Sequence, residues 1–225
     1  MRTPSSSDSL KFEIAQRIRA SIFTGELKPG QPLRELAVAR QLSVSQAVIR
    51  EALSHLEQMG LVTRIPNKGS SVASPTPEEI RHRMRLRVVA EQAALVACAE
   101  NMKPEDFERA EALAVAIATA LQNGNHAEAN KAGFEFHRLL WNRSGSAFLA
   151  RMLEQICAPL FGFHDLVKQV TNATPQSAPN MQLLKALRDK NADAISAFVV
   201  DNNNNWLETR PQPEPMHSEA LSAGV

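Results

Sequence analysis

Residues 34–72, RELAVARQLSVSQAVIREALSHLEQMGLVTRIPNKGSSV, limit what this chain can fold into more than any other stretch. Ser43-Val44-Ser45 is a short polar break between two segments of helical character, and Ser45 is a good N-cap for the second. Val48, Ile49, Ala52, Leu53, Leu56 and Met59 then recur at three- and four-residue spacing, which makes one helix face apolar. Gln46, Arg50 and Ser54 fall on another face, and Gly60 ends the helix as a C′ glycine. Two β-like runs follow, 61–65 and 70–72, joined by the turn Pro66-Asn67-Lys68-Gly69. A helix, a tight turn, a capped second helix and a basic-tipped hairpin form a winged helix-turn-helix, a device that reads double-stranded DNA.

The segments before this motif serve it. Residues 1–9 are polar and serine-rich and are expected to be a disordered tail. From Leu10 an apolar stripe of Phe12, Ile14, Ala15, Ile18 and Ile22 predicts a helix that stops at Gly25, and Lys28-Pro29-Gly30 is a turn. The first helix of the motif is expected over 33–42, with Leu33, Leu36, Ala37, Ala39 and Leu42 turned inward. The net charge of +1 divides unevenly: ten Lys/Arg against six Asp/Glu through Ser74, and fifteen against eighteen beyond it. The basic excess sits with the reading head, where phosphate contacts need it. Cys98 and Cys157 both lie in apolar helical runs and read as buried free thiols of a reducing compartment. The chain shows no signal peptide and no twenty-residue apolar span, so a cytoplasmic location is expected.

Ser74-Pro75-Thr76-Pro77 reads as a hinge into a helix: Thr76 as N-cap, Pro77 at the first helical position and Glu79 completing a capping box. Beyond it the pattern predicts only helices, over 77–101, 104–123, 125–143, 146–171, 175–190 and 192–208. Gly124, Gly145 and the Pro175/Pro179 region mark the breaks. Connections this short favour antiparallel neighbours. The expected fold is mainly α: a winged helix-turn-helix over 10–74, hinge and helix start over 75–80, an antiparallel six-helix bundle over 81–210 and a flexible tail over 211–225.

IFTGELKPGQPLRE, LAVARQLSVSQAVIREALSHLEQMGLV and PNKGSSV together resemble the N-terminal signature of the GntR family of bacterial transcription regulators, over roughly residues 10–73. Beside that resemblance, the chemistry places Arg50 on the face away from the apolar stripe, positioned for guanine edges or phosphates; the alternative is a salt bridge with a neighbouring carboxylate. Gln46 in the first turn suits an adenine edge or a phosphate, and Ser45 either caps alone or also donates to a phosphate. Arg34 is placed to touch DNA backbone, and Asn67, Lys68 and the Gly69 amide form the wing tip. Many relatives carry an arginine where this chain has Gln46, which changes the operator expected and leaves DNA binding in place.

The helical part resembles, more loosely, the FCD ligand-binding domain of the FadR-type branch. The match is carried by residues 87–97, by Phe136-His137-Arg138-Leu139-Leu140 with Ser144-Gly145, and by Leu183-Leu184-Lys185-Ala186-Leu187. The resemblance implies a divalent metal held by an aspartate four residues before a histidine and by two later histidines, with small carboxylates bound beside it. Here His137 is the only retained ligand position: Gly133 stands four residues before it, and Asn180 and Asn202 fall near the other two. One imidazole and two amides make a poor transition-metal site, and metal-free binding is expected. Glu135 is no substitute, because two residues along a helix is about 200° of rotation.

Four residues are the effector candidates. Arg87, one turn before Glu91, either anchors an effector carboxylate or forms a buried pair with Glu91. His137 either hydrogen-bonds an effector or is a satisfied core histidine, and Asn180 and Asn202 either line a polar pocket or face solvent. In the basic run 81–87 only Arg87 is expected to turn inward. The expected function is a homodimeric, DNA-binding regulator, a repressor whose operator affinity responds to an organic acid, with no enzyme activity and no membrane partner. The alternatives are a constitutive DNA-binding protein with a non-sensing helical part, and a helical metalloenzyme. Cys157 and His164 do not suggest a catalytic pair, since two helical turns separate them by about 10 Å.

Overall fold

In the computed structural model, which describes residues 6–65, 69–170 and 178–207, helices dominate and one small sheet forms the wing. The reading head contains α1 (Ser6–Phe23), β1 (Pro32–Leu33), α2 (Glu35–Leu42), α3 (Gln46–Gln58), β2 (Val62–Ile65) and β3 (Gly69–Val72). Residues 6–9, expected in the tail, instead form the first turn of α1. The rest of that tail, the expected break at Pro175 and the tail over 211–225 lie outside the described residues.

The turn between α2 and α3 rests on Ser43, whose left-handed backbone (φ 54°) lets its N–H and that of Val44 reach the last carbonyls of α2. Ser45 then caps α3 by accepting from the Val48 N–H at 3.3 Å. The expected apolar face of α3 is the buried one, with Ile49, Leu53 and Leu56 wholly inaccessible. Gly60, at φ +72°, turns the chain into the wing.

The wing is a three-stranded antiparallel sheet in the order β1-β3-β2. Its third strand, β1, is a correction: Leu33 pairs with Ser70 and does not begin α2. A second correction concerns α2 itself: Leu36 is 52% exposed and Ala37 is also exposed, whereas Ala39 is buried as expected and Val38 packs beside it.

The helical part comprises α4 (Pro77–Asn101), α5 (Pro104–Gln122), α6 (His126–Asn142), α7 (Ala147–Gly162), α8 (His164–Val170), α9 (Ala178–Arg188) and α10 (Ala192–Leu207). Thr76 caps α4 by accepting from the Glu79 N–H at 3.2 Å. Only that half of the expected capping box forms, because the Glu79 carboxylate accepts from Arg83 instead. Gly124 and Gly145 take positive φ at the helix breaks. The single helix expected over 146–171 is two, divided at Phe163. At that division the Gly162 Cα faces the reading head so closely that a Cβ would lie 3.0 Å from Leu61 and 3.1 Å from Phe23.

Gly60 makes a matching approach, where a Cβ would lie 3.2 Å from Pro159. One apolar core therefore runs from Ile14, Leu53 and Val72 into Phe134, Trp141, Leu153 and Cys157. A polar clasp spans the same seam. Arg19 of α1, only 9% exposed, donates to Glu135 Oε1 at 2.6 Å and lies 5.0 Å over the Phe134 ring. A second core cluster, around Leu95, Phe136, Leu183 and Ile195, holds α4, α5, α6, α9 and α10 together.

Candidate functional site

Two sets of side chains carry the candidate chemistry. The first is the outer edge of the reading head, where Arg34, Ser45, Gln46 and Arg50 are all exposed. Gln46, Arg50 and Arg64 of β2 converge on Glu35, in the first turn of α2. Gln46 Nε2 donates to its Oε2 at 3.0 Å, Arg50 Nε and Nη2 donate at 3.3 and 3.2 Å, and Arg64 donates to Oε1 at 3.2 Å. Partial burial pushes the Glu35 carboxyl up, but the bonds from Gln46, Arg50 and Arg64 outweigh it and hold its pKa below the usual value. Arg50 thus forms a salt bridge with a neighbouring carboxylate and still lies 58% exposed.

Sequence reasoning missed Glu35 and Arg64. The signal for Glu35 was its place in a helix first turn, where a carboxylate favours the dipole. Gly69 is exposed at φ +88° and begins β3 opposite Ile65. Asn67 and Lys68 lie outside the described residues.

The second set is interior. Arg87 and Glu91, each 2% exposed, form the buried pair: Nε donates to Oε2 at 2.8 Å and Nη2 approaches Oε1 at 3.4 Å. Trp141 Nε1 donates to Glu91 Oε1 at 3.0 Å. His137 completes the group, with Nε2 3.3 Å from Arg87 Nη2 and Nδ1 2.9 Å from Glu91 Oε1, the latter without hydrogen-bond alignment. A guanidinium only donates, so Nε2 accepts and the ring proton belongs on Nδ1. Burial lowers the His137 pKa, and the neighbouring Glu91 only partly restores it. Burial raises that of Glu91, but Arg87 and His137 outweigh it and hold the carboxyl far below its usual range.

Among the described residues, no hydrogen bond or ion pair joins Asn180 or Asn202 to Glu91, His137 or Trp141. Asn180 is 9% exposed and Asn202 is half-buried, whereas its neighbour Asn203 is 1% exposed and donates to the Val199 carbonyl at 2.7 Å. Within the basic run, Arg83 reaches the Gln155 carbonyl at 2.6 Å, and Arg85 remains exposed.

The gntR family model of bacterial regulatory proteins matches residues 10–72, and the FCD domain model matches residues 82–201. The chain belongs to the GntR family. It is 28% identical over 200 residues to the HTH-type regulator YdhC of Bacillus subtilis, covering 88% of this chain and 89% of that protein. It is 25% identical to the regulator McbR of Escherichia coli over 166 residues, 73% of this chain and 75% of McbR. The solved E. coli McbR/YncC structure has the same fold, with a TM-score of 0.73 at 21% identity over 87% of this chain and 93% of that one. As a GntR regulator the chain is a DNA-binding transcription factor and not an enzyme.

The metal implied by the FCD resemblance does not fit the residues present. The position of the expected aspartate is Gly133, where a Cβ would meet the Phe161 ring at 3.3 Å. Both nitrogens of His137 already face Arg87 and Glu91, and a guanidinium beside the imidazole repels a cation. Among the described residues, no three His, Cys, Asp or Glu side chains are grouped to hold a metal ion. No helix among the described residues is long and apolar enough to cross a membrane.

The buried group predicts an acid sensitivity. The His137 pKa lies below its unfolded 6.5, and that of Glu91 below its unfolded 4.5, so in both cases the unfolded chain binds more protons. Stability is therefore lost as pH falls, beginning near 6.5 for His137 and near 4.5 for Glu91. Urea midpoints measured from neutral pH down into the carboxylate range are expected to fall continuously, with the first part of the fall shallower in His137→Gln. An identical profile in that variant would contradict a neutral buried His137.

Proposed function

We propose that this GntR regulator is a homodimeric repressor of the cytoplasm that works without a metal and whose operator affinity is tuned by an organic acid at its helical domain. The observation that carries the DNA-reading part is the exposed group Arg34, Ser45, Gln46 and Arg50 at the open edge of α2 and α3. Arg50 uses Nε and Nη2 on Glu35, leaving Nη1 for a base edge or a phosphate. Glu35 holds Gln46 and Arg50 in one orientation before DNA arrives, which lowers the ordering cost of binding.

The dimer reading rests on α4. Leu86 and Val89 are 57% and 70% exposed, and Ala93 continues the same face at helical spacing. A second copy covering this stripe would remove it from water and pair two reading heads on a two-fold operator. The constitutive alternative also has an observation in its favour: Glu91 already satisfies Arg87, so an effector carboxylate there would have to displace a buried partner.

Operator binding followed by fluorescence anisotropy tests the reading. Arg50→Ala is expected to weaken affinity by about 1–3 kcal/mol, and an organic acid to weaken that of the parent. Unchanged affinity in Arg50→Ala would contradict the reading face, and indifference to a panel of acids would favour the constitutive alternative. Val89→Glu, followed by sedimentation, is expected to shift dimer to monomer; an unshifted dimer would place the interface elsewhere.

A further inference from the structure

A surface cavity of about 260 Å³ lies against α5 and α6, lined by Arg109, Glu135, Arg138, Leu139, Asn142 and Arg143. It is separate from the interior group around Arg87. Three of its six lining residues are arginines and one is acidic, so the lining carries an excess of positive charge. Arg109 is exposed and has no ion-pair partner among the described residues. Arg143 gives Nη2 to Asp106 at 2.7 Å, leaving Nε and Nη1 without a hydrogen bond among the described residues. Arg138 gives Nε and Nη2 to Glu135 Oε2 at 3.0 and 2.6 Å, and its Nη1 stands 3.9 Å from Glu154, beyond hydrogen-bond reach.

Glu135 makes this cavity more than a basic patch. Its other oxygen holds Arg19 of α1 at 2.6 Å, so one carboxylate joins the cavity wall to the reading head. Burial raises the Glu135 pKa, but Arg138 and Arg19 outweigh it and keep the carboxylate charged. We propose that this cavity binds a small dianion, a dicarboxylate or a phosphate, on Arg109, Arg138 and Arg143, and that binding loosens the Arg19–Glu135 clasp. The dianion competes with Glu135 for Arg138 and repels it as a like charge. By linkage, whatever loosens the clasp also favours the dianion. The inference goes beyond the effector reading above and is tested without DNA, so the two fail separately.

The experiment titrates the full chain with succinate and, separately, inorganic phosphate by calorimetry at fixed ionic strength. Hydrogen exchange over α1 is followed in the same samples. At least one anion is expected to bind, about tenfold more weakly in Arg109→Ala, with faster α1 exchange on binding. Tighter succinate binding identifies a dicarboxylate site, and tighter phosphate binding a phosphate site. Glu135→Gln is expected to exchange fast in α1 without anion and to gain nothing further from it. No binding at millimolar concentration, binding indifferent to Arg109→Ala, or binding with α1 exchange unchanged would each overturn the proposal.

Discussion

The Arg87–Glu91 pair is the interaction around which the helical part is arranged. Removing two charges from water costs several kcal/mol each, and mutual attraction offsets this only when the remaining donors and acceptors are satisfied. Here Glu91 accepts from Arg87 and Trp141 and faces His137, while Arg87 also meets His137 and lies 5.4 Å over the Phe161 ring. These contacts join α4, α6 and α7 at one point. Loss of either partner would strand a buried charge, at about 3–5 kcal/mol. Phe161 against Gly133 closes the space that a metal-binding aspartate would need.

The reading head is built onto this centre. Leu61 and Phe23 press on Gly162, Pro159 presses on Gly60, and Arg19 crosses the seam to Glu135. The recognition helix α3 runs into Gly60 and so is anchored to α7 at its C-terminal end, while its N-terminal end faces outward with Gln46 and Arg50. A signal passing between the two parts must therefore repack an interface, and the hinge at 74–77 alone does not define their relation.

Local chemistry was legible in the sequence, and long-range placement was not. The Ser45 and Thr76 caps, the apolar face of α3 and the span 77–101 follow from neighbouring residues, and the structure has them. Strand β1 was invisible because two residues cannot show a period, and its pairing with β3 is non-local. The break at Phe163 lies beside Gly162, whose close approach to Leu61 and Phe23 involves residues far away in sequence. The Arg87–Glu91 pair could be read from its one-turn spacing, but the arrival of His137 and Trp141 from α6 could not. Leu36 and Ala37 were assigned to the core by type, yet both are exposed, and Val38 packs inward beside the expected Ala39.

A buried ion pair stands where the FCD resemblance would put a metal, and metal analysis tests that most directly. The protein is purified without chelator, with His137→Ala alongside. No stoichiometric metal is expected in either. Stoichiometric zinc, nickel or another divalent ion in the parent, lost in His137→Ala, would contradict it.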